Sequence, residues 1–276
     1  MPAAHRQRQL LHQGGRPGTW GNLGLWADGG DAPDPIATTD YAGACQALAQ
    51  AVGDAAGLQP GARVLSLACG AGDELLLWTD HFGASRVLGV EVDPAAARLA
   101  QGLAAHRPGI QVLCGSALAL DAHPAAAGPF DAIVCVDAAY HLAPRAAWLA
   151  SVWPRLRPGG RLAYADLTLQ QRASPLLRSA ARLCGVPAAD LLPLAGQVQR
   201  LQAAGFTGVQ ARVLDGPVLG GFARFVQRQA AAQRLRPWQH GWRAVATTAA
   251  LIAPCRAAGL GYALLSATRP AGSASG

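Results

Sequence analysis

At 276 residues and 28.3 kDa, with 51% hydrophobic and 14% charged residues, the chain has material for one α/β domain with decorations, and the composition excludes an intrinsically disordered protein. No apolar run approaches the roughly 18–20 residues needed to cross a bilayer. The formal charge of +7 and pI near 9.6 raise nucleic acid as a partner. Apart from histidine, however, every basic residue is arginine, spread along an Ala-, Gly- and Pro-rich chain rather than gathered into a groove, and no nucleic-acid partner is expected.

In chain order, residues 1–18 read as a basic, flexible leader without the apolar core of a secretory signal. A cap over 19–57 begins with "TWGNLGLWADGGDAP" and continues into a helix that Thr39 or Asp40 can cap and that runs to Gly57. "QPGARVLSLACGAGD" is a turn, a buried strand and a glycine loop, followed by a helix over 74–82. "SRVLGVEVD" is a strand and "PAAARLAQGLAAH" a helix opened by proline. "IQVLCGSAL" and "PFDAIVCVDAAYHL" are strands, "PRAAWLASVWPRL" a helix, and "RPGGRLAYADLTL" a turn and fifth strand.

A proline-broken helical insert over about 170–204 follows, then a strand in "FTGVQARVLD", a second helical insert over about 218–258, a last strand in "GYALLSATRP" and a flexible tail over 271–276. Apolar strands alternating with helices predict a mostly parallel sheet covered on both faces. The cysteines Cys45, Cys69, Cys114, Cys135, Cys184 and Cys255 are scattered, with no C-x-x-C. Small buried thiols in a reduced, cytoplasmic protein fit that spacing better than disulfides or a zinc site.

The stretch "VLSLACGAGDELLLW" carries the chemistry. Gly70 and Gly72 let the backbone approach a ligand, because no Cβ intervenes. About 20 residues on, the second strand ends in Glu91, a carboxylate placed to accept hydrogen bonds from the ribose hydroxyls of an adenosine. A dinucleotide fits poorly. Its third glycine is replaced by Leu75, and Asp73 and Glu74 load the helix start with negative charge that repels phosphate. An adenosine ligand with a positive centre and no phosphate suits the loop better.

These motifs resemble the class I S-adenosylmethionine-dependent methyltransferases, of the small-molecule branch that includes sugar, quinone and tocopherol methyltransferases. "VLSLACGAGD" resembles the first motif of that family, "LGVEVDP" the acidic second, and "LRPGGRLAYADL" the turn and strand that close the nucleotide half, over roughly 58–270. The resemblance implies a Rossmann-like, mostly parallel seven-stranded sheet with helices on both faces, a helical N-terminal cap, and helical inserts after the fifth and sixth strands. It implies S-adenosylmethionine as cofactor, held by Ala68, Gly70, Gly72, Asp73, Glu91, Val92, Ser116, Ala117 and Asp137. Three positions depart from the family pattern: Ser66 replaces an acid on the first strand, Ala68 the first glycine, and Ser116 an aspartate at the adenine. Asp73 and backbone carbonyls are the compensation expected for the lost acids.

By the same resemblance, the acceptor lies past the fourth strand. There His141 is the general base, or alternatively a helix cap, and Tyr140 lines the acceptor pocket or is a buried aromatic. Asp166, ending the fifth strand, orients His141 or contacts the acceptor, or else stabilises a turn. The segment "WGNLGLW" resembles the family's closing lid, which assigns Trp20, Asn22 and Trp26 to water exclusion or to a Trp-anchored loop. No metal is expected, because Leu167 follows Asp166 where catechol-type enzymes need Asn. "DAAY" is not the signature of base-amine methylation. The apolar insert 170–204 favours a small hydrophobic or aromatic acceptor. Two alternatives stand beside it: a membrane-embedded lipid or quinone acceptor met through 222–243, with an amphipathic helix on the sheet edge the favoured reading of that segment, and a non-catalytic protein that binds the cofactor.

Overall fold

The computed structural model describes residues 19–26, 41–170, 174–183, 185–187, 189–232 and 242–271. The expected leader 1–18, the Thr39 or Asp40 cap, Cys184 and the tail from 272 onward lie outside these residues.

Seven strands form one sheet: β1 (Arg63–Leu67), β2 (Arg86–Glu91), β3 (Ile110–Cys114), β4 (Phe130–Cys135), β5 (Leu156–Leu169), β6 (Thr207–Val213) and β7 (Leu260–Thr268), in the order β3-β2-β1-β4-β5-β7-β6. The first five are parallel, and β7 runs antiparallel to both β5 and β6. This is the Rossmann-like sheet expected from the alternation of apolar strands and helices. Continuous apolar runs such as "RVLSL" arise because the central strands are covered on both sides.

On one face, α1 (Tyr41–Ala55), α2 (Asp73–Asp80), α3 (Pro94–Ala104), α7 (Gly221–Ala231) and α8 (Trp242–Ala257) share a core with Val64, Val134 and Ala163 of the sheet. On the other, α4 (Arg145–Val152) and α6 (Leu194–Ala203) bury Trp148, Leu149 and Leu201 against Leu65, Ile133 and Leu162. The insert after β5 contains α5 (Pro175–Leu183) and α6, and packs its own small core of Leu177, Ala181, Val186 and Leu191 beside Tyr140.

Two local features position the site. Asp93 caps α3 by accepting the Ala95 amide at 2.9 Å, with Pro94 in the first turn, so the chain leaves β2 sharply after Glu91. The strand order reverses between β1 and β4, which opens a crevice at the carboxyl ends of those strands. Helix α7 buries Phe222, Phe225 and Val226 on the core and exposes Arg224 and Arg228, the packing of an amphipathic helix on a sheet. Among the described residues no helix is long and apolar enough to cross a membrane.

Candidate active site

The crevice at the β1/β4 reversal is a cavity of about 430 Å³. Its floor is the loop after β1, where Ala68, Gly70 and Gly72 all have positive φ, at 55°, 57° and 97°. For Ala68 that conformation is costly, on the order of 1 kcal/mol, because it stands where a glycine is the usual occupant. The two glycines do different work. A Cβ on Gly70 would point into open space, and the Gly70 amide donates to Glu91 Oε2 at 2.9 Å. A Cβ on Gly72 would fall 2.9 Å from the Cα of Ala100 in α3, and Gly72 is not part of the cavity wall. Gly72 therefore permits helix packing, and the expectation that it meets the cofactor is corrected.

Glu91 is buried at the tip of β2 and lines the cavity. Its second oxygen accepts the Asp93 amide at 2.9 Å. Each carboxylate oxygen keeps a further lone pair, so two ribose hydroxyls can still be bound. Val92, 64% exposed, and Leu118, 39% exposed, give the same end of the cavity apolar side walls. Leu118 was not singled out from the sequence. Ser116 and Ala117 line that end too, with Ser116 Oγ accepting the Leu118 amide at 3.1 Å.

Asp137, past the end of β4, also lines the cavity and takes a positive φ of 53°. Its Oδ2 accepts the Leu23 amide at 2.7 Å. Its Oδ1 accepts the hydroxyls of Tyr262 at 2.7 Å and Tyr140 at 3.3 Å. Burial, with the Asp137 charge, holds the Tyr262 phenol well above its ordinary range, so it remains a donor.

Ser66, in the acid's usual place on β1, is fully buried. It donates to Glu74 Oε1 and accepts the Trp78 indole N–H at 3.1 Å. Glu74 is itself buried on the first turn of α2 and lines the cavity. Burial pushes its carboxyl up to about 8, partly opposed by the Ser66 hydrogen bond and reinforced by Glu91 and Asp73. Sequence reasoning counted Glu74 only as charge at a helix start. The signal available in the sequence was its place eight residues beyond an unexpected serine, across the glycine loop. Asp73, the expected compensation, instead accepts the Thr19 amide at 3.1 Å and the Thr19 hydroxyl, tying the N-terminal segment to α2.

That segment forms one wall through Thr19, Trp20, Gly21 and Asn22. Asn22 shapes the wall: its Nδ2 donates to the Cys45 carbonyl at 3.1 Å and its Oδ1 accepts the Gly24 amide at 2.8 Å. Trp26 is elsewhere. It stacks on Phe225 at 4.6 Å between ring centroids, 3% exposed and outside the cavity, so its assignment to the lid is corrected to a core anchor.

Tyr140 and His141 lie on a short turn after β4, Ala139–His141, and both line the cavity. Their rings meet edge to face at 4.5 Å. His141 Nδ1 lies 3.2 Å from the Gly185 carbonyl of the insert. A carbonyl only accepts, so the neutral ring carries its proton on Nδ1 and leaves Nε2 as a free base. Asp166 is not brought to this place. β5 runs on to Leu169, and Asp166 sits 1% exposed with its Oδ2 2.8 Å from Arg145 Nη2, in contact with neither His141 nor the cavity. Burial pushes its carboxyl up to about 7 against the pull of Arg145. Its role as orienter of His141 is therefore corrected to that of a buried ion-pair partner.

Five acidic residues line the cavity, Asp73, Glu74, Glu91, Asp93 and Asp137, and among the described residues no arginine does. Such a wall repels phosphates and attracts a cation. A nucleoside carrying a sulfonium and an ammonium is compatible in charge with such a wall.

Residues 64–160 match a family model described as a methyltransferase domain. Over 213 residues the chain is 29% identical to the erythromycin 3''-O-methyltransferase of Saccharopolyspora erythraea, a match covering 73% of this chain and 66% of that enzyme's length, just under two thirds. Among solved structures it resembles the [4+2]-cyclase SpnF, at 22% identity and a TM-score of 0.70, covering 97% of this chain and 94% of that one. It also resembles a geranyl diphosphate methyltransferase in complex with GPP and sinefungin, at 16% identity and a TM-score of 0.71, again covering 97% and 94%. Residues 64–160 thus carry a methyltransferase domain on a Rossmann-like sheet, with the motif residues gathered around one acidic cavity.

Proposed function

We propose that this protein transfers a methyl group from S-adenosylmethionine to an oxygen, nitrogen or carbon atom of a small, apolar or aromatic metabolite, with a hydroxyl as the preferred acceptor. The observation that carries this reading is the shared cavity. An acidic, adenosine-sized crevice built on Glu91, Gly70 and Asp137 opens directly onto Tyr140 and His141. The O-methyltransferase likeness supports oxygen as the acceptor atom.

When bound, the cofactor supplies an electrophilic methyl on a positively charged sulfur. The chain's part is alignment, dehydration and proton removal. Glu91 and the Gly70 loop fix the nucleoside, and Asp137 holds Tyr140 and the Leu23 backbone in register. The segment 19–22 excludes water along the wall it forms, and the insert core packs beside Tyr140. His141, held as its Nδ1–H tautomer by Gly185, presents Nε2 to take the acceptor's proton. The apolar insert core beside Tyr140 favours an apolar acceptor body. The packing of Phe222, Phe225 and Val226 inward argues against α7 as a membrane-docking element.

The test is incubation with methyl-labelled S-adenosylmethionine and a panel of phenols, hydroxylated macrocycles and sugar-bearing metabolites. Labelled O-methyl product is expected. Tight cofactor binding with no labelled product from any of them would overturn methyl transfer, and the same fold is known to carry other chemistry.

A further inference from the structure

The Ser66–Glu74 pair is the feature of the cavity that the family resemblance leaves unexplained. Ser66 occupies the strand position where an acid is usual, and Glu74 reaches back from α2 to accept its hydroxyl hydrogen. The acid has in effect moved from strand to helix, a translocation that keeps a carboxylate on the cavity wall. Glu74 is 6% exposed, and among the described residues no arginine or histidine pairs with it. Its titratable neighbours are Asp73 from its own helix, Glu91 from the end of β2, and the buried thiols of Cys69 after β1 and Cys135 in β4. None of these groups brings positive charge. A buried carboxyl surrounded by acids keeps its proton until a cation arrives.

Resting on the cofactor reading above, we propose that Glu74, oriented by Ser66, is the carboxylate that receives the cationic methionine half of S-adenosylmethionine, and that cofactor binding expels the Glu74 proton to solvent. The step is an acid–base exchange: the Glu74 O–H bond breaks, the proton leaves to buffer, and the carboxylate formed pairs with the incoming cation. Entry of the cofactor is thereby coupled to pH through one residue of the wall.

Calorimetric titration of S-adenosylmethionine into the full chain, in buffers of differing ionisation enthalpy between pH 6 and 9.5, counts the protons released. Because the carboxyl is pushed up to about 8, wild type should release close to one more proton per cofactor than Glu74→Gln near pH 6–7. The difference should fade to none above about pH 9. Taking the difference cancels protons from the ligand's own amino group. Glu74→Gln is near-isosteric and still accepts from Ser66, so the fold is retained. Its affinity should lose about tenfold or more at pH 9 and far less at pH 6. Ser66→Ala, which removes the hydrogen bond favouring the anion, should move the release window to higher pH. Cofactor binding with equal proton counts in wild type and Glu74→Gln overturns the proposal and leaves the cofactor assignment standing. An unmoved window in Ser66→Ala overturns the role given to Ser66. Failure of wild type to bind S-adenosylmethionine at every pH overturns both the cofactor reading and the proposal.

Discussion

The Asp73 carboxylate accepts both the backbone amide and the side-chain hydroxyl of Thr19, fastening the N-terminal segment across the start of α2 beside the cavity mouth. This contact links the wall made by Trp20, Gly21 and Asn22 to the element that also carries Glu74. Removing the hydroxyl in Thr19→Val deletes a charge-assisted hydrogen bond of about 1–2 kcal/mol and leaves the amide bond in place. Cofactor dissociation measured by stopped flow should accelerate by about tenfold. An unchanged dissociation rate would show that this fastening does not gate the cavity.

Glu91 accepts two backbone amides and faces the crevice. In Glu91→Gln one acceptor becomes an N–H₂ group set against those amide donors, and the ribose loses its anionic partner. Affinity for S-adenosylmethionine should fall about 10–100-fold, the loss expected for hydrogen bonds to a charged group. Equilibrium binding checks this, and an unaltered dissociation constant would remove Glu91 from the ribose.

For His141→Ala the expected loss is about 10²–10⁴-fold in kcat, with cofactor affinity unchanged, because only proton removal is affected. If the rate holds, His141 is a structural residue beside the insert.

Arg145 and Asp166 form a buried pair with imperfect satisfaction: Arg145 Nη1 and Asp166 Oδ1 have no hydrogen-bond partner. The guanidinium also lies 5.2 Å from the ring centroid of Trp148 and 5.7 Å from that of Tyr164. Arg145→Met should destabilise by about 3 kcal/mol by leaving a buried carboxyl without its partner, and a double replacement by apolar residues should recover most of the loss. Urea melts of the two variants give the comparison. A double variant as unstable as the single would mean that the pair contributes more than its desolvation costs.

The raised Glu74 carboxyl has a consequence for stability in the absence of cofactor. The folded state holds a proton that the unfolded chain releases from about pH 4.5 upward. The stability this confers is fully present below that value and is lost as pH rises through about 8. Glu74→Gln should therefore melt higher than wild type at pH 9, with the gap closing toward pH 5. A constant gap across that range would mean that the carboxyl titrates normally.

Much of this site was legible from residue types. The glycine loop, Glu91 at the tip of β2, and Asp137, Tyr140 and His141 after β4 converge because parallel strands deliver their carboxyl ends to one edge. Sequence could not separate the tasks of Gly70 and Gly72, since both have positive φ and only the position of Ala100 distinguishes them. Asp166 was misplaced because β5 continues three residues beyond it, to Leu169, and its side chain is buried against Arg145 away from the cavity. For Trp26 the sequence left lid and Trp-anchored loop both open, because its partner Phe225 lies on a helix far along the chain. Glu74 was missed because charge at a helix start usually faces water, and here the serine on β1 draws it inward.

The insertion of β7 between β5 and β6 carries a consequence for synthesis. That strand follows all the others in the chain, yet its Tyr262 hydroxyl holds the Asp137 carboxylate at the cavity. A nascent chain emerging amino end first has the nucleotide-binding strands in hand long before this brace exists, and until then the edge of β5 lacks its antiparallel neighbour and β6 has no sheet to join. Ribosome-bound intermediates halted before residue 260 should thus expose the open edge of β5 together with an unpaired β6 and recruit chaperones, and competence to bind ligand should emerge abruptly once β7 is free to pair.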